Sequence, residues 1–134
     1  MRYLLDTNIV SYIVKNRYSE KLEQKMRFAV QENLYISVMT EAELLYGIKM
    51  SNNERLIVRV HDFLKNINIL NWDRMAAQSY GELKYLTRQQ GITVAELDLQ
   101  IASHAKAENM VLVSNDAIFN ALVAMNLQLE NWYA

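Results

Sequence analysis

The sequence predicts an α/β protein with a mostly parallel sheet that is covered by helices on both faces. Short apolar segments of strand length alternate with longer segments in which apolar residues recur at helical spacing. The 134 residues include no proline and three glycines, with no repeat or low-complexity stretch that would indicate a linker. Alternating strands and helices are typical of parallel sheets. We therefore expect residues 1–134 to form a single α/β domain.

Composition excludes several function classes. No apolar run approaches the ~18 residues of a membrane span, and Asp6 interrupts the first segment, which lacks the apolar core of a secretion signal. The absence of cysteine excludes disulfides, thiolate metal sites and thiol nucleophiles. A net charge of −1 and a pI near 6.1 exclude a generally basic nucleic-acid binder. We expect a cytoplasmic protein without membrane association.

The strands are predicted from short apolar runs. The first contains Tyr3, Leu4 and Leu5 and is followed at once by polar residues, as expected of a buried strand that ends at a sheet edge. The predicted strands are residues 2–6, 34–38, 67–70 and 110–114, with a short edge strand at 127–129.

The helices are predicted from apolar residues at helical spacing. The clearest is 73–90, where Ala76, Tyr80, Leu83 and Leu86 recur along one face. The others are a short helix from Ile9 and the segments 18–33, 40–50, 54–66, 94–109 and 116–125.

Asp6 is the last residue of the first predicted strand, and Asp116 comes just after the predicted strand 110–114. In open α/β sheets, ligand sites lie just outside the carboxyl ends of the parallel strands. The Asp6-Thr7-Asn8 run offers a carboxylate, a hydroxyl and an amide there, which could bind a metal or a phosphate. Aspartate is also a favoured helix N-cap, so each acid has a purely structural interpretation.

Glu43 and Asp98 lie on predicted helices. Glu43 comes three residues after Thr40, the spacing of a capping box, so its structural interpretation is again a cap. A second capping box, Thr93 with Glu96, would place Asp98 inside its helix, on the stripe formed with Ile101 and its neighbours. An aspartate on an apolar stripe is costly unless it is paired or binds a metal, which favours a functional role.

The four acids are more informative together than singly. Parallel strands bring their carboxyl ends to one edge, where several carboxylates would repel one another without a cation. Oxygen ligands suit Mg²⁺ or Mn²⁺. The sequence therefore favours a metal site. The histidines lie outside it: His104 is about 240° around the helix from Asp98, and His61 lies on a mixed helix, so both are interpreted as structural or surface residues.

Four blocks of sequence, in order, carry a family resemblance. LLDTN, ISVMTEAELLYG, LDLQIASHA and VLVSND with Phe119 and a closing ENW together resemble PIN-domain ribonucleases, and most closely the VapC toxins of bacterial toxin–antitoxin pairs. The resemblance spans nearly the whole chain. It implies a three-layer α/β/α sandwich and a Mg²⁺ or Mn²⁺ site formed by Asp6, Glu43, Asp98 and Asp116.

The resemblance also implies roles for neighbouring residues and for partners. Thr7 would serve catalysis, and Asn8 and Asn115 would position substrate. The implied substrate is RNA, in several relatives tRNA, and the implied partners are a VapB-type antitoxin and a second copy of the chain. Two departures bear on substrate choice and antitoxin contacts: ITVAEL precedes Asp98 where relatives often carry glycine or proline, and AIFNA after Asp116 lacks a basic residue.

These observations predict a Mg²⁺-dependent endoribonuclease that leaves 5′-phosphate and 3′-hydroxyl ends. A PIN nuclease that is not a toxin is one alternative. A phosphatase or phospho-acceptor domain with Asp6 as nucleophile is another, although Asn8 stands where haloacid-dehalogenase-like phosphatases carry a second aspartate. A non-catalytic interaction domain, in which the acids are only caps and solvated charges, is the third.

Overall fold

The computed structural model describes residues 1–134 and contains a central sheet of five short strands. The strands are β1 (Tyr3–Leu5), β2 (Leu34–Ser37), β3 (Asn68–Leu70), β4 (Val111–Val113) and β5 (Leu129–Glu130). The helices are α1 (Thr7–Val14), α2 (Glu20–Phe28), α3 (Val38–Met50), α4 (Glu54–Asn66), α5 (Arg74–Gln89) and α6 (Glu96–Ala107), with 3₁₀ helices at Gln31–Asn33 and Ala117–Met125.

All strand pairs are parallel, in the order β3-β2-β1-β4-β5. The first strand therefore lies at the centre, with Leu4 opposite Tyr35 on one side and Leu112 on the other. The predicted edge strand exists, although β5 begins two residues later than expected. Because every strand runs in the same direction, the residues that follow β1, β2 and β4 lie at one edge of the sheet.

Alternate residues of each strand enter two separate hydrophobic cores. Leu4 and Leu112 belong to the core that includes Leu83 of α5, Ile101 of α6 and Phe119 of the last 3₁₀ helix. This arrangement is the pleat of a strand buried on both faces.

The neighbouring strand residues, Leu5 and Val113, point into the second core. Ile9 of α1, Leu22 of α2 and Val60 of α4 complete it. Helices thus cover both faces of the sheet, and the predicted three-layer α/β/α arrangement is confirmed.

Two predicted helices have different limits in the structure. The helix predicted over 18–33 ends at Phe28, because Ala29 and Val30 adopt extended backbone before the 3₁₀ turn. The helix predicted from residue 40 begins at Val38, directly after β2. None of the helices is both long and apolar enough to span a bilayer.

Candidate metal centre

Asp6 lies at the carboxyl end of the central strand and is almost completely buried. It is the N-cap of α1, where its Oδ1 accepts a hydrogen bond of 2.9 Å from the backbone N–H of Ile9. Its own backbone N–H continues the sheet by bonding to the carbonyl of Val113. The predicted cap is thus present, and it leaves the second carboxylate oxygen, Oδ2, pointing away from α1.

Ser114 holds that second oxygen. Its hydroxyl donates a 2.5 Å hydrogen bond to Asp6 Oδ2 and accepts one of 3.0 Å from the backbone N–H of Asp116. Ser114 therefore connects the acid after β1 to the acid after β4. Ser114 was not predicted as a site residue; the available signal was a lone serine at the end of the otherwise apolar run from Met110.

Asp98 and Asp116 act electrostatically on Asp6. The pKa of Asp6 is raised to about 6, chiefly by burial and to a smaller extent by the charges of Asp98 and Asp116, while the hydrogen bonds from Ser114 and Ile9 lower it. The pKa of Asp98 is also raised, by burial and then by Asp116. The three carboxylates are therefore close enough for their charges to influence one another.

Asp98 sits nearer its helix start than the sequence suggested. The N-cap of α6 is Ala95, which makes no side-chain cap, so Asp98 is in the first turn. The predicted Thr93–Glu96 capping box is wrong, because Glu96 instead accepts hydrogen bonds from Tyr80 and Lys84 across the α5–α6 interface. Ile101, Ala102 and Ala105 of the predicted stripe are all buried.

Glu43 is exposed, one turn beyond Thr40 on α3. The predicted capping box with Thr40 is wrong, because Ser37 is the N-cap and Thr40 lies within the helix. The Thr40 hydroxyl instead lies 3.1 Å from the hydroxyl of Thr7. Glu43 and Thr7 line the same surface cleft, so α3 presents Glu43 beside the helix that Asp6 caps.

The candidate ligand atoms are of the chemical type that a hard divalent cation such as Mg²⁺ or Mn²⁺ binds. All the candidate ligands are carboxylate oxygens, and the three ion pairs of the structure, Arg2–Glu108, Arg27–Glu23 and Lys84–Glu96, leave these acids without a cationic partner. No three acidic or histidine side chains converge closely enough to hold an ion as they stand. Repulsion disfavours such convergence until a cation offsets it, so the site fits a metal in chemistry and requires side-chain adjustment to bind it.

The other predicted residues have varied surroundings. Asn8 is exposed on the first turn of α1. Asn115 Oδ1 accepts a hydrogen bond of 3.0 Å from Asn131, which also caps the backbone of the closing segment. His61 is exposed, whereas His104 is completely buried, as expected of a structural residue.

Comparison with known proteins identifies the family. A family model described as PIN domain matches residues 3–124. The chain is 38% identical over 134 residues to Ribonuclease VapC2 of Haemophilus influenzae, with 98% of both chains covered. It is 31% identical over 134 residues, with the same coverage of both chains, to the tRNA(fMet)-specific endonuclease VapC of Shigella flexneri.

The chain belongs to the VapC group of the PIN-domain family. Solved structures agree with this assignment. VapBC2 from Rickettsia felis bound to a promoter DNA fragment matches with a TM-score of 0.84 and 34% identity, covering 98% of this chain and 99% of that one. DNA-bound VapBC from Salmonella typhimurium matches with a TM-score of 0.89 and 28% identity, covering 98% of each chain. The predicted resemblance to VapC proteins and the predicted PIN fold are confirmed.

Proposed function

We propose that this VapC-type protein is a metal-dependent endoribonuclease toxin that cuts tRNA or another structured RNA. The supporting observation is the group of mutually repelling carboxylates, Asp6, Asp98 and Asp116, which has no cationic partner. It lies at the carboxyl edge of a parallel sheet, in a chain that is 38% identical to a protein named Ribonuclease VapC2.

In this proposal Asp6, Asp98 and Asp116 hold Mg²⁺ or Mn²⁺, and Glu43 contributes directly or through a water. When bound, the metal supplies a water of lowered pKa as the nucleophile and stabilises charge on the attacked phosphate. Hydrolysis of this type leaves a 5′-phosphate and a 3′-hydroxyl.

The surrounding residues prepare the carboxylates for this task. Ser114 and the Ile9 N–H orient both oxygens of Asp6, which fixes the direction of the carboxylate. The Thr7 hydroxyl, held beside Thr40, orients a water or a phosphate oxygen. Asn8 is exposed and therefore accessible to RNA, whereas Asn115 serves substrate indirectly, since its amide oxygen is bound to Asn131.

The partners follow from the relatives. The solved structures from Rickettsia felis and Salmonella typhimurium are named VapBC2 and VapBC. VapBC-5 from Mycobacterium tuberculosis is described as a member of the VapBC family of toxin–antitoxin systems. We therefore propose that a VapB-type antitoxin neutralises this protein. The homodimer that the resemblance to VapC toxins implies is part of the same proposal.

The test is cleavage of a total tRNA pool with Mg²⁺ and with EDTA, comparing wild type with Asp6→Asn and Asp98→Asn. Asparagine caps a helix about as well as aspartate but is a much poorer metal ligand. Asp73→Asn is a matched control, because Asp73 caps α5 through a 2.9 Å bond to the Ala76 N–H and is not among the site acids.

We expect wild type and Asp73→Asn to cut RNA only with metal, and the two site variants to fold normally and lose the activity. Site variants that cut as well as wild type would contradict the proposal. Fragments that carry 2′,3′-cyclic phosphate ends would contradict the hydrolytic mechanism. A trapped aspartyl-phosphate would indicate the phosphatase alternative instead.

A further inference from the structure

His104 is a completely buried residue of α6 that the proposed chemistry does not use. Its Nδ1 lies 2.9 Å from Ser37 Oγ, and its Nε2 lies 3.1 Å from the carbonyl oxygen of Asn71. Trp72 packs edge-on against the ring, with the centroids 5.3 Å apart. Burial lowers the pKa of His104, so the ring is neutral near pH 7. The imidazole thus connects α6 to the residues at the ends of β2 and β3.

The chemistry of the partners fixes the direction of each hydrogen bond. The Asn71 carbonyl can only accept, so Nε2 carries the proton and donates. Nδ1 of the neutral ring is then an acceptor, and the Ser37 hydroxyl donates to it. The same hydroxyl oxygen accepts a 3.1 Å bond from the Met39 N–H as the N-cap of α3. Both functions of the Ser37 hydroxyl are therefore in use.

The first turn of α3 is held at a second point as well. Thr40, one turn after Ser37, is bonded to Thr7 at the start of α1. Ser37 thus ties α3 to the helix that carries Asp98, and Thr40 ties it to the helix that Asp6 caps. Glu43 follows one further turn along the same helix. These two links therefore help to fix the position of Glu43 relative to the aspartates, together with the packing of Leu44 in the second core.

We propose that His104 is a positioning residue for the metal centre, which fixes the start of α3 through Ser37 and so sets the spacing between Glu43 and the aspartates. This inference rests on the proposed function, because it assigns those acids to one site. It concerns the geometry of the free protein, so it can be tested by metal binding without any RNA substrate.

Two substitutions separate positioning from packing. The side-chain amide of His104→Asn lies near the position of Nδ1 and can accept from Ser37. The amide of His104→Gln lies near the position of Nε2, where it donates to Asn71 but leaves the Ser37 hydroxyl without its acceptor. For each purified variant, Mn²⁺ affinity is measured from the electron paramagnetic resonance signal of free Mn²⁺, and stability is measured by thermal unfolding.

Positioning and packing predict opposite orders for the two variants. Positioning predicts that His104→Gln weakens Mn²⁺ binding about tenfold, as is usual when a supporting partner of a metal ligand is lost, while His104→Asn retains the wild-type affinity. Packing alone predicts that His104→Asn is the worse variant, because asparagine is the poorer helix former and leaves the larger cavity. Mn²⁺ affinities that follow the unfolding temperatures, or that equal wild type in both variants, overturn the inference.

Two further measurements cover variants that fail to fold. Ser37→Gly keeps an acceptable N-cap but removes the hydroxyl, and it should weaken Mn²⁺ binding as His104→Gln does. In the wild-type protein, the ¹⁵N chemical shifts of the ring should show a neutral imidazole with the proton on Nε2, and a proton on Nδ1 overturns the inference. Wild-type protein that binds no Mn²⁺ contradicts the proposed function itself, and the inference with it.

Discussion

Asp6 combines a structural task with a proposed catalytic one. One carboxylate oxygen caps α1 and the other accepts from Ser114, yet the carboxylate is buried beside two further acids. The two hydrogen bonds favour its charged form, but burial and the neighbouring charges outweigh them and raise its pKa to about 6. The residue therefore carries a charge at neutral pH at a cost to the free energy of folding.

Asp6→Asn should stabilise the metal-free protein at neutral pH and have little effect at acidic pH. Because the pKa of Asp6 is higher in the folded protein, about 6 against 3.8, the folded state binds the proton more tightly. Wild-type stability therefore falls as the pH rises from about 4 through about 6, by at most roughly 3 kcal/mol at 1.36 kcal/mol per pKa unit. The neutral asparagine avoids that loss.

Urea unfolding of both proteins in EDTA, at intervals from pH 4 to pH 8, checks this prediction. The stability difference should grow in favour of Asp6→Asn across that interval. Asp73→Asn, which alters an exposed cap of another helix, should show no comparable growth. A difference that does not change with pH would mean that the carboxylate is not destabilising in the folded protein.

The limits of helices depended on contacts that local sequence does not reveal. Thr40 and Glu43 have capping-box spacing, but α3 begins at Val38 because Ser37 is hydrogen-bonded both to the helix and to the distant His104. The helix predicted over 18–33 likewise ends early, at Phe28, for a tertiary reason, since Ala29 packs against the second core with extended backbone. Long-range partners therefore decided these two ends.

The closing segment of the chain, like the two helix limits, is held by contacts with residues far away in the sequence. Trp132 is buried against Tyr3, with ring centroids 4.9 Å apart, and its indole N–H donates to Glu130. Tyr133 stacks on Tyr12 of α1 at 3.9 Å. These aromatic contacts attach the chain after β5 to the second core. Trp132 and Tyr133 both lie beyond residues 3–124, the part of the chain that matches the PIN domain.

Trp132→Ala should destabilise the protein by about 3–5 kcal/mol, the usual cost of deleting a buried aromatic side chain. Trp132→Phe keeps a ring against Tyr3 and loses the indole hydrogen bond and part of the buried ring surface, so it should cost clearly less. Because Tyr3 begins β1 and the candidate ligands lie beyond its other end, Mn²⁺ affinity should be unchanged in both folded variants. Urea unfolding with Mn²⁺ titration measures both effects, and an alanine variant as stable as wild type would refute the structural role.

The arrangement of the whole molecule was more predictable than its details. The alternation of strands and helices predicted the parallel sheet that the structure contains. A parallel sheet implies that the acids after β1 and β4 lie at one edge, and the effect of the Asp116 charge on the pKa of Asp6 supports that expectation. Ser114 was not predicted, because a hydroxyl at a strand end has no spacing pattern of its own. The structural role expected of His104 was correct, but its hydrogen bonds join residues far apart in sequence.

A metal that binds the folded protein through several elements must stabilise all of them together. The candidate ligands come from the end of β1, from α3, from α6 and from the end of β4, so unfolding any of these elements destroys the site. At 100 times its dissociation constant, such a ligand adds about 2.7 kcal/mol to the free energy of unfolding, which for a domain of this size raises Tm by roughly 10 °C. We expect Mg²⁺ and Mn²⁺ to produce this shift in wild type and in Asp73→Asn, and to produce none in the double variant Asp6→Asn/Asp98→Asn.

Differential scanning calorimetry with and without each metal makes the comparison. An equal shift in the double variant would assign the binding to other groups, and no shift in wild type would favour the non-catalytic alternative, in which the acids serve only as caps and solvated charges.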